Sequence, residues 1–111
     1  MYKRQAPTFV IVGDQFLQDI NNDSIADTIF LLRSDDTRTN TSRYYISAAM
    51  SLRNGFTGLN VLSLGKNLVG GMFTYNNGEI VFGFATAHAS STVSQKYFVL
   101  EDLLLKEVIR Q

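Results

Sequence analysis

The chain has 111 residues, 45% of them hydrophobic, so it has room for one domain with one modest core. Ten basic and ten acidic residues give a formal net charge of zero, and Lys and Arg do not cluster among aromatic residues, so we expect no nucleic-acid partner. The lack of cysteine excludes disulfides, thiolate catalysis and cysteine-ligated zinc, and no apolar run approaches the roughly 20 residues of a transmembrane segment.

The first five residues, MYKRQ, look like the translated end of a library-preparation transposon. We therefore interpret residues 1–5 as an artefactual scar and residues 6–111 as a single β-rich domain, and we expect the natural chain to begin upstream of Ala6. Without Lys3 and Arg4 the formal net charge is −2. A natural, short basic N-terminus is the alternative interpretation.

Alternation of apolar and polar residues recurs between turn residues about ten apart, which predicts an all-β fold with a mainly antiparallel sheet, as a meander or barrel or as a sandwich. Residues 8–16 and 25–33 are predicted strands on either side of an acidic stretch. The continuous apolar run from Ile29 to Leu32 predicts that the second is a central strand, buried on both faces. Residues 34–42 are predicted to form a polar connector.

Residues 44–52 alternate in the way that a strand does, although alanine and methionine also permit a helix that would end at Gly55. The alternation holds across nine residues and therefore favours the strand. One predicted face carries Tyr44, Ile46, Ala48, Met50 and Leu52, and the other carries Tyr45, Ser47, Ala49 and Ser51.

The second half of the chain predicts two short strands, at 59–65 and 70–75, and a hairpin within 74–84 that turns at Asn77-Gly78. Residues 85–95 are predicted to form a surface loop. Residues 96–110 are predicted to form a last hairpin, turning near Glu101 and Asp102. A short C-terminal helix is the alternative there, because the apolar residues fit a period of 3.6 about as well as a period of two.

The acidic stretch DINNDSIAD, residues 19–27, carries oxygen-bearing side chains at alternating positions that can curl around one cation. Calcium is a hard ion that takes about six to eight oxygens. The candidate ligands at loop positions 1, 3, 5, 7 and 9 are Asp19, Asn21, Asp23, the backbone carbonyl of Ile25, and Asp27. The Ile25 side chain is expected to enter the core. The alternative is a turn rich in Asp and Asn that holds no ion.

The spacing excludes an EF-hand, because position 12 of the loop is Phe30 where an EF-hand needs a bidentate Glu. It resembles instead the D-x-N-x-D-G-x-x-D calcium loop of FG-GAP and related secreted β-proteins, which implies Ca²⁺ as the cofactor. The departure is Ser24, which stands where the family has glycine. That position usually has a left-handed backbone, so a non-glycine residue there costs on the order of 1 kcal/mol.

The order of several short motifs resembles a family of bacterial secreted or lipoprotein-borne domains. These motifs are DINNDSIADTIFLL, SRYYISAAMSLRNGFTGLNVLSLG, YNNGEIVFGFA and QKYFVLED. Two residues depart from the family pattern: Gln18 replaces a glycine before the first Asp, and Lys66 replaces an acidic residue after Leu64-Gly65. The resemblance implies an extracellular or bacterial cell-envelope location and implies no catalytic residues.

We expect the domain not to be an enzyme. The single histidine, His88, lies in a Ser/Ala-rich stretch, and the adjacent Asp35 and Asp36 would point to opposite sides of an extended segment. The sequence therefore predicts a calcium-stabilised, non-catalytic structural or interaction module whose partner is a protein or a surface ligand.

Two alternatives remain at this level, a single FG-GAP-like blade from a β-propeller adhesin and a metal-free β-domain. A propeller needs several similar blades, and the chain has no second D-x-[DN]-x-D segment.

Overall fold

The computed structural model describes residues 9–86 and 93–109, and all the regular structure in them is antiparallel β-sheet. Sheet A contains β1 (Val10–Ile11), β2 (Phe16–Gln18), β3 (Asp27–Asp36), β4 (Thr41–Leu52), β5 (Gly55–Gly58) and β6 (Leu62–Lys66). Sheet B contains β7 (Leu68–Asn76), β8 (Glu79–Thr86), β9 (Ser94–Glu101) and β10 (Leu104–Val108). The all-β, antiparallel prediction is confirmed. None of these residues belongs to a helix that could cross a membrane.

Strand β3 lies at the centre of sheet A. It pairs with β1 and β2 along one edge and with β4 along the other, as the predicted central strand should. The prediction that it is buried on both faces is wrong, because Ile29 and Leu31 are buried whereas Phe30 and Leu32 are half-buried. Successive side chains of a strand point to opposite faces, and only the first pair reaches the core between the sheets.

Strand β4 confirms the alternation and excludes the helix, since Ile46, Ala48 and Met50 are buried and the residues between them are only half-buried. The predicted connector at 34–42 is wrong over most of its length, because β3 runs to Asp36 and only residues 37–40 form the turn. Polar side chains bond across these strands instead of forming a loop.

Asp35 is the centre of this polar strand end. It accepts a hydrogen bond from Ser42 Oγ at 2.6 Å and forms an ion pair with Arg33 at 3.1 Å.

The predicted strand at 8–16 is divided into β1 and β2 by a bend at Gly13, whose φ is 69°. The strand predicted at 59–65 is β6, which begins at Leu62, and the one predicted at 70–75 lies inside β7. Of the predicted loop at 85–95, residues 87–92 lie outside the described part of the chain, as do the MYKRQ segment and His88. The ends of that predicted loop belong to β8 and β9.

Both predicted hairpins of sheet B are confirmed. Asn76 pairs with Glu79 across Asn77 and Gly78, whose φ values of 52° and 82° suit a turn with two left-handed residues. Glu101 pairs with Leu104 in the last hairpin.

The turn of that last hairpin has the same left-handed pair without a glycine, with φ values of 54° at Asp102 and 62° at Leu103. The described residues up to 109 therefore contain the C-terminal hairpin and not the alternative helix.

The core lies between the two sheets and takes its largest side chains from both. Phe82 and Phe98 of sheet B and Ile29 and Ile46 of sheet A are fully buried. Gly71 in β7 is required at its position, because a Cβ there would lie 2.7 Å from two ring carbons of Phe82. This close approach falls within a β-bulge of β7, between Val69 and Met72.

The side chain of Asn60 links β10, at the edge of sheet B, to the segment before β6 of sheet A. Asn60, in the segment between β5 and β6, accepts a hydrogen bond from Leu105 N–H at 2.8 Å and donates one from Nδ2 to Leu105 O at 3.0 Å. Both backbone groups of Leu105 face away from β9, so the amide of Asn60 takes the place of a neighbouring strand at this point.

Candidate metal centre

The acidic loop joins β2 to β3 and curls around the carboxylate of Asp19. Its Oδ1 accepts a hydrogen bond from Asp23 N–H at 3.2 Å, and its Oδ2 accepts one from Ser24 N–H at 2.7 Å. Asp23 in turn accepts one from Ile25 N–H at 2.9 Å. Carboxylates that bond the backbone a few residues on are what make Asp and Asn favourable in tight turns.

Two residues of the loop have a left-handed backbone, Asn22 with φ of 62° and Ser24 with φ of 67°. The second confirms that the position occupied by glycine in the resembled calcium loop is left-handed here as well. Asn tolerates this conformation better than most residues, whereas Ser at the same backbone angles is strained.

Asp27 closes the loop at the first residue of β3 and is the one fully buried charged residue among those described. Its Oδ2 accepts a hydrogen bond from Ile20 N–H and its Oδ1 accepts one from Ser51 N–H, both at 2.9 Å. Ser51 Oγ also donates to the carbonyl of Ala26 at 2.7 Å. The loop is therefore anchored to the end of β4, a contact that the sequence analysis did not predict.

Three carboxylates converge in this loop. One oxygen from each of Asp19, Asp23 and Asp27 lies within 4.8 Å of the others. Calcium ligands lie about 2.3 to 2.6 Å from the ion, so oxygens on opposite sides of one ion are about 4.6 to 5.2 Å apart. A separation of at most 4.8 Å is compatible with a single calcium ion among the three groups.

Asn21 supplies an independent sign that the loop suits a cation. Its Nδ2 donates to Asp23 at 3.2 Å, but its Oδ1 is buried and is the one buried side-chain polar atom in the described residues without a hydrogen-bond partner. A buried oxygen without a partner is unfavourable, and a cation would satisfy it. The residues present fit calcium, since all the donors are oxygens, three of them anionic.

The expectation that Ile25 enters the core is wrong. Its side chain is 43% exposed, and Ile20, at 8% exposure, is the loop residue that packs into the core. The inward alternation of Asp27, Ile29 and Leu31 does not extend back to residue 25, because the hydrogen bond from Ile25 N–H to Asp23 holds that residue in the turn. Coordination by the Ile25 carbonyl stays a prediction.

The hydrogen bonds of the loop also affect the acidity of Asp19. Partial burial raises the pKa of its carboxyl, and the backbone N–H groups of Ser24 and Asp23 lower it, so that the pKa lies below its ordinary value. This carboxylate stabilises the fold above its unfolded pKa of about 3.9, and the contribution is lost as pH falls through the lower folded pKa.

No protein family, curated protein or solved structure matches this chain. The geometry of the loop is therefore what indicates a site. Of the other candidates, Asp35 bonds Arg33 and Ser42, and Asp36 accepts a hydrogen bond from Arg38 N–H at 3.0 Å. Asp35 is exposed and Asp36 is half-exposed, and both already accept hydrogen bonds at the end of the β3–β4 hairpin.

Replacing Ser24 by glycine should raise the free energy of unfolding by about 1 kcal/mol, because glycine adopts φ near +67° without strain. Denaturation by urea in the presence of a chelator measures this change without any contribution from a metal. Replacing Ser24 by alanine is the control, because it keeps the strain and should not stabilise the domain. If glycine were no better than alanine, the left-handed backbone at this position would not be a cost.

Proposed function

We propose that this domain is a calcium-stabilised, non-catalytic structural or interaction module of a bacterial cell-envelope or secreted protein. The observation that carries the proposal is the convergence of three carboxylates in a loop that also holds Asn21, whose Nδ2 bonds Asp23 and whose buried Oδ1 has no partner. Asp19, Asn21, Asp23 and Asp27 would hold the ion through their side chains and Ile25 through its carbonyl, and water would complete the coordination of six to eight oxygens.

Calcium would act on the fold and not on a reaction. Without a cation the three carboxylates repel one another, so the ion stabilises the loop and, through Asp27, its attachment to Ser51 at the end of β4. Extracellular calcium modules bind with Kd of roughly 10⁻⁴ to 10⁻³ M, and the strain at Ser24 favours the weaker end of that range. Such affinity is useful where calcium is millimolar, which agrees with the cell-envelope or extracellular location that the resemblance implies.

The alternative of a single propeller blade has less support. A blade is one four-stranded sheet that packs against neighbouring blades. Sheets A and B of this chain instead enclose a shared core that includes Ile46 and Phe98. The metal-free domain is the alternative that the following experiment separates from the proposal.

Calcium at 5 to 10 mM, roughly tenfold above the weaker Kd, should stabilise the domain by about 1.4 kcal/mol relative to chelator. For a domain of this size the melting temperature should rise by roughly 5 to 10 °C, which differential scanning calorimetry measures. Asp19→Ala and Asp23→Ala should each abolish the rise, since each removes a carboxylate of the cluster.

Asp35→Ala is the matched control, because it removes an exposed carboxylate far along β3 and should leave the calcium response unchanged. Magnesium at the same concentration should stabilise the domain less, since it demands a tighter octahedral site. Equal melting curves in chelator and in calcium would contradict the proposal and would leave the loop as a turn without an ion.

A further inference from the structure

The outer face of sheet B carries a groove of about 620 Å³ on the opposite side of the sheet from the core. Thr74, Val81 and Tyr97 lie in one row across β7, β8 and β9, as the strand register shows. Their chain neighbours Phe73, Phe82 and Phe98 point to the core instead. The groove is therefore separate from the acidic loop, and the described residues that line it include none of the candidate calcium ligands.

The floor of this groove is formed by apolar side chains and one aromatic ring. Val81 is only 9% exposed although it faces away from the core between the sheets. Val99 and the ring of Tyr97, both half-buried, line the groove beside it. A tyrosine combines a flat apolar ring with a polar hydroxyl and suits ligands that are apolar on one face and polar at the edge.

The rim of the groove is rich in amides and nearly free of charge. Asn76, Asn77 and Gln95 each carry both hydrogen-bond donors and an acceptor, and Thr74 adds a hydroxyl. The Tyr97 hydroxyl donates a hydrogen bond to Gln95 Oε1 at 2.8 Å. This bond orients the amide, whose Nε2 group is then the donor. Among the described residues, the carboxylate of Glu79 is the one charged group that lines the groove.

We propose that this groove binds a neutral oligosaccharide. A sugar ring presents a face of C–H groups, which fits the Tyr97 ring and Val99, and a rim of hydroxyls that need both donors and acceptors, which the amides supply. The volume falls within the range of about 300 to 1,000 Å³ that is typical of small-ligand sites. A charged ligand is disfavoured because the described residues of the rim carry one carboxylate and no cluster of charges of either sign.

An extended peptide fits this groove less well. Peptides that add to a sheet bond its free edge through the backbone. This groove lies on the face of sheet B, across β8 and β9, whose backbone groups already pair with neighbouring strands. Recognition here must therefore use side chains, and the described ones are mainly amides, a threonine hydroxyl, valines and the Tyr97 ring, with the carboxylate of Glu79.

The test is a titration of the ¹⁵N-labelled domain with cellohexaose, chitohexaose and maltohexaose, each to ~10 mM, followed by nuclear magnetic resonance; a Kd of about 1 mM would then be nearly saturated. At least one of the three should shift the amide signals of Val81, Gln95 and Tyr97. Tyr97→Ala should weaken that binding by about tenfold or more, whereas Tyr97→Phe, which keeps the ring, should weaken it by less than about threefold.

Two further variants keep the result decisive. Gln95→Ala changes an exposed residue at the start of β9 and should also weaken binding, so it carries the test if Tyr97→Ala does not fold. Tyr45→Ala, on the outer face of sheet A, is the matched aromatic control and should bind as the unchanged domain does. Absence of shifts with all three sugars, or shifts that neither Tyr97→Ala nor Gln95→Ala reduces, would overturn the proposal.

Discussion

Replacing Asp27 by alanine should lower the free energy of unfolding by about 3 kcal/mol even in a chelator, and should also abolish the response to calcium. The first effect follows from burial, because Asp27 is 0% exposed and accepts hydrogen bonds from Ile20 N–H and Ser51 N–H. Alanine would leave both N–H groups without a partner, and each buried unsatisfied donor costs about 1 to 3 kcal/mol.

Urea denaturation with and without calcium measures the two effects separately. Asp27→Asn is an informative intermediate, because it keeps one carbonyl oxygen for one of the two N–H groups but turns an NH₂ donor toward the other. Its stability in chelator should therefore lie between those of the unchanged domain and the alanine variant. The loss expected for Asp27→Ala corresponds to a fall of roughly 10 to 20 °C in melting temperature.

Asp23→Ala is the matched control from the same loop. Asp23 is exposed, and its hydrogen bonds with Ile25 and Asn21 lie at the surface, so in chelator its loss should cost less than about 1 kcal/mol. Both variants should thus lose the calcium response, whereas in chelator the free energy of unfolding should be lower for Asp27→Ala than for Asp23→Ala. Equal stability of both variants in chelator would show that Asp27 does not anchor the loop.

The parts of this fold that the sequence predicts are those fixed by neighbouring residues. Alternation in β4 determines which face of that strand is buried, and Asn77-Gly78 determines the hairpin between β7 and β8. Both signals act within a few residues. The left-handed backbone at Ser24 likewise belongs to a feature of a few neighbouring residues, the acidic loop. The spacing of the acidic residues likewise brings one oxygen from each of Asp19, Asp23 and Asp27 within 4.8 Å of the others.

The parts that the sequence does not predict depend on partners far along the chain. The burial of Asp27 needs Ser51, which is 24 residues away, and nothing near Asp27 indicates that contact. The Ile25 side chain faces solvent because the hydrogen bond from Ile25 N–H to Asp23 holds this residue in the turn before β3, and the spacing of the acidic residues does not indicate that direction. The polar residues 34–36 and 41–42 form paired strands, because Ser42 bonds Asp35 across the hairpin and Arg33 pairs with Asp35 along β3.

Replacing Asn60 by alanine should lower the free energy of unfolding by about 2 kcal/mol, because it leaves both Leu105 N–H and Leu105 O without their partners. Leu105 is 1% exposed, so water does not readily replace the lost amide. The contact joins residues 45 positions apart and is the point at which the segment before β6 holds the edge of β10. Loss of these two hydrogen bonds should therefore destabilise the last hairpin before the rest of the domain.

Hydrogen exchange resolves this effect, since the amide of Leu105 should exchange faster in Asn60→Ala while the amide of Ile29 in the central strand β3 follows the global change in stability. Asn60→Asp should be at least as damaging, because it keeps an acceptor for Leu105 N–H but sets a carboxylate oxygen against Leu105 O. Asn54→Ala, at an exposed turn, is the control and should change stability by less than about 0.5 kcal/mol. Unchanged protection of Leu105 in Asn60→Ala would mean that β9 and the core alone hold β10 in place.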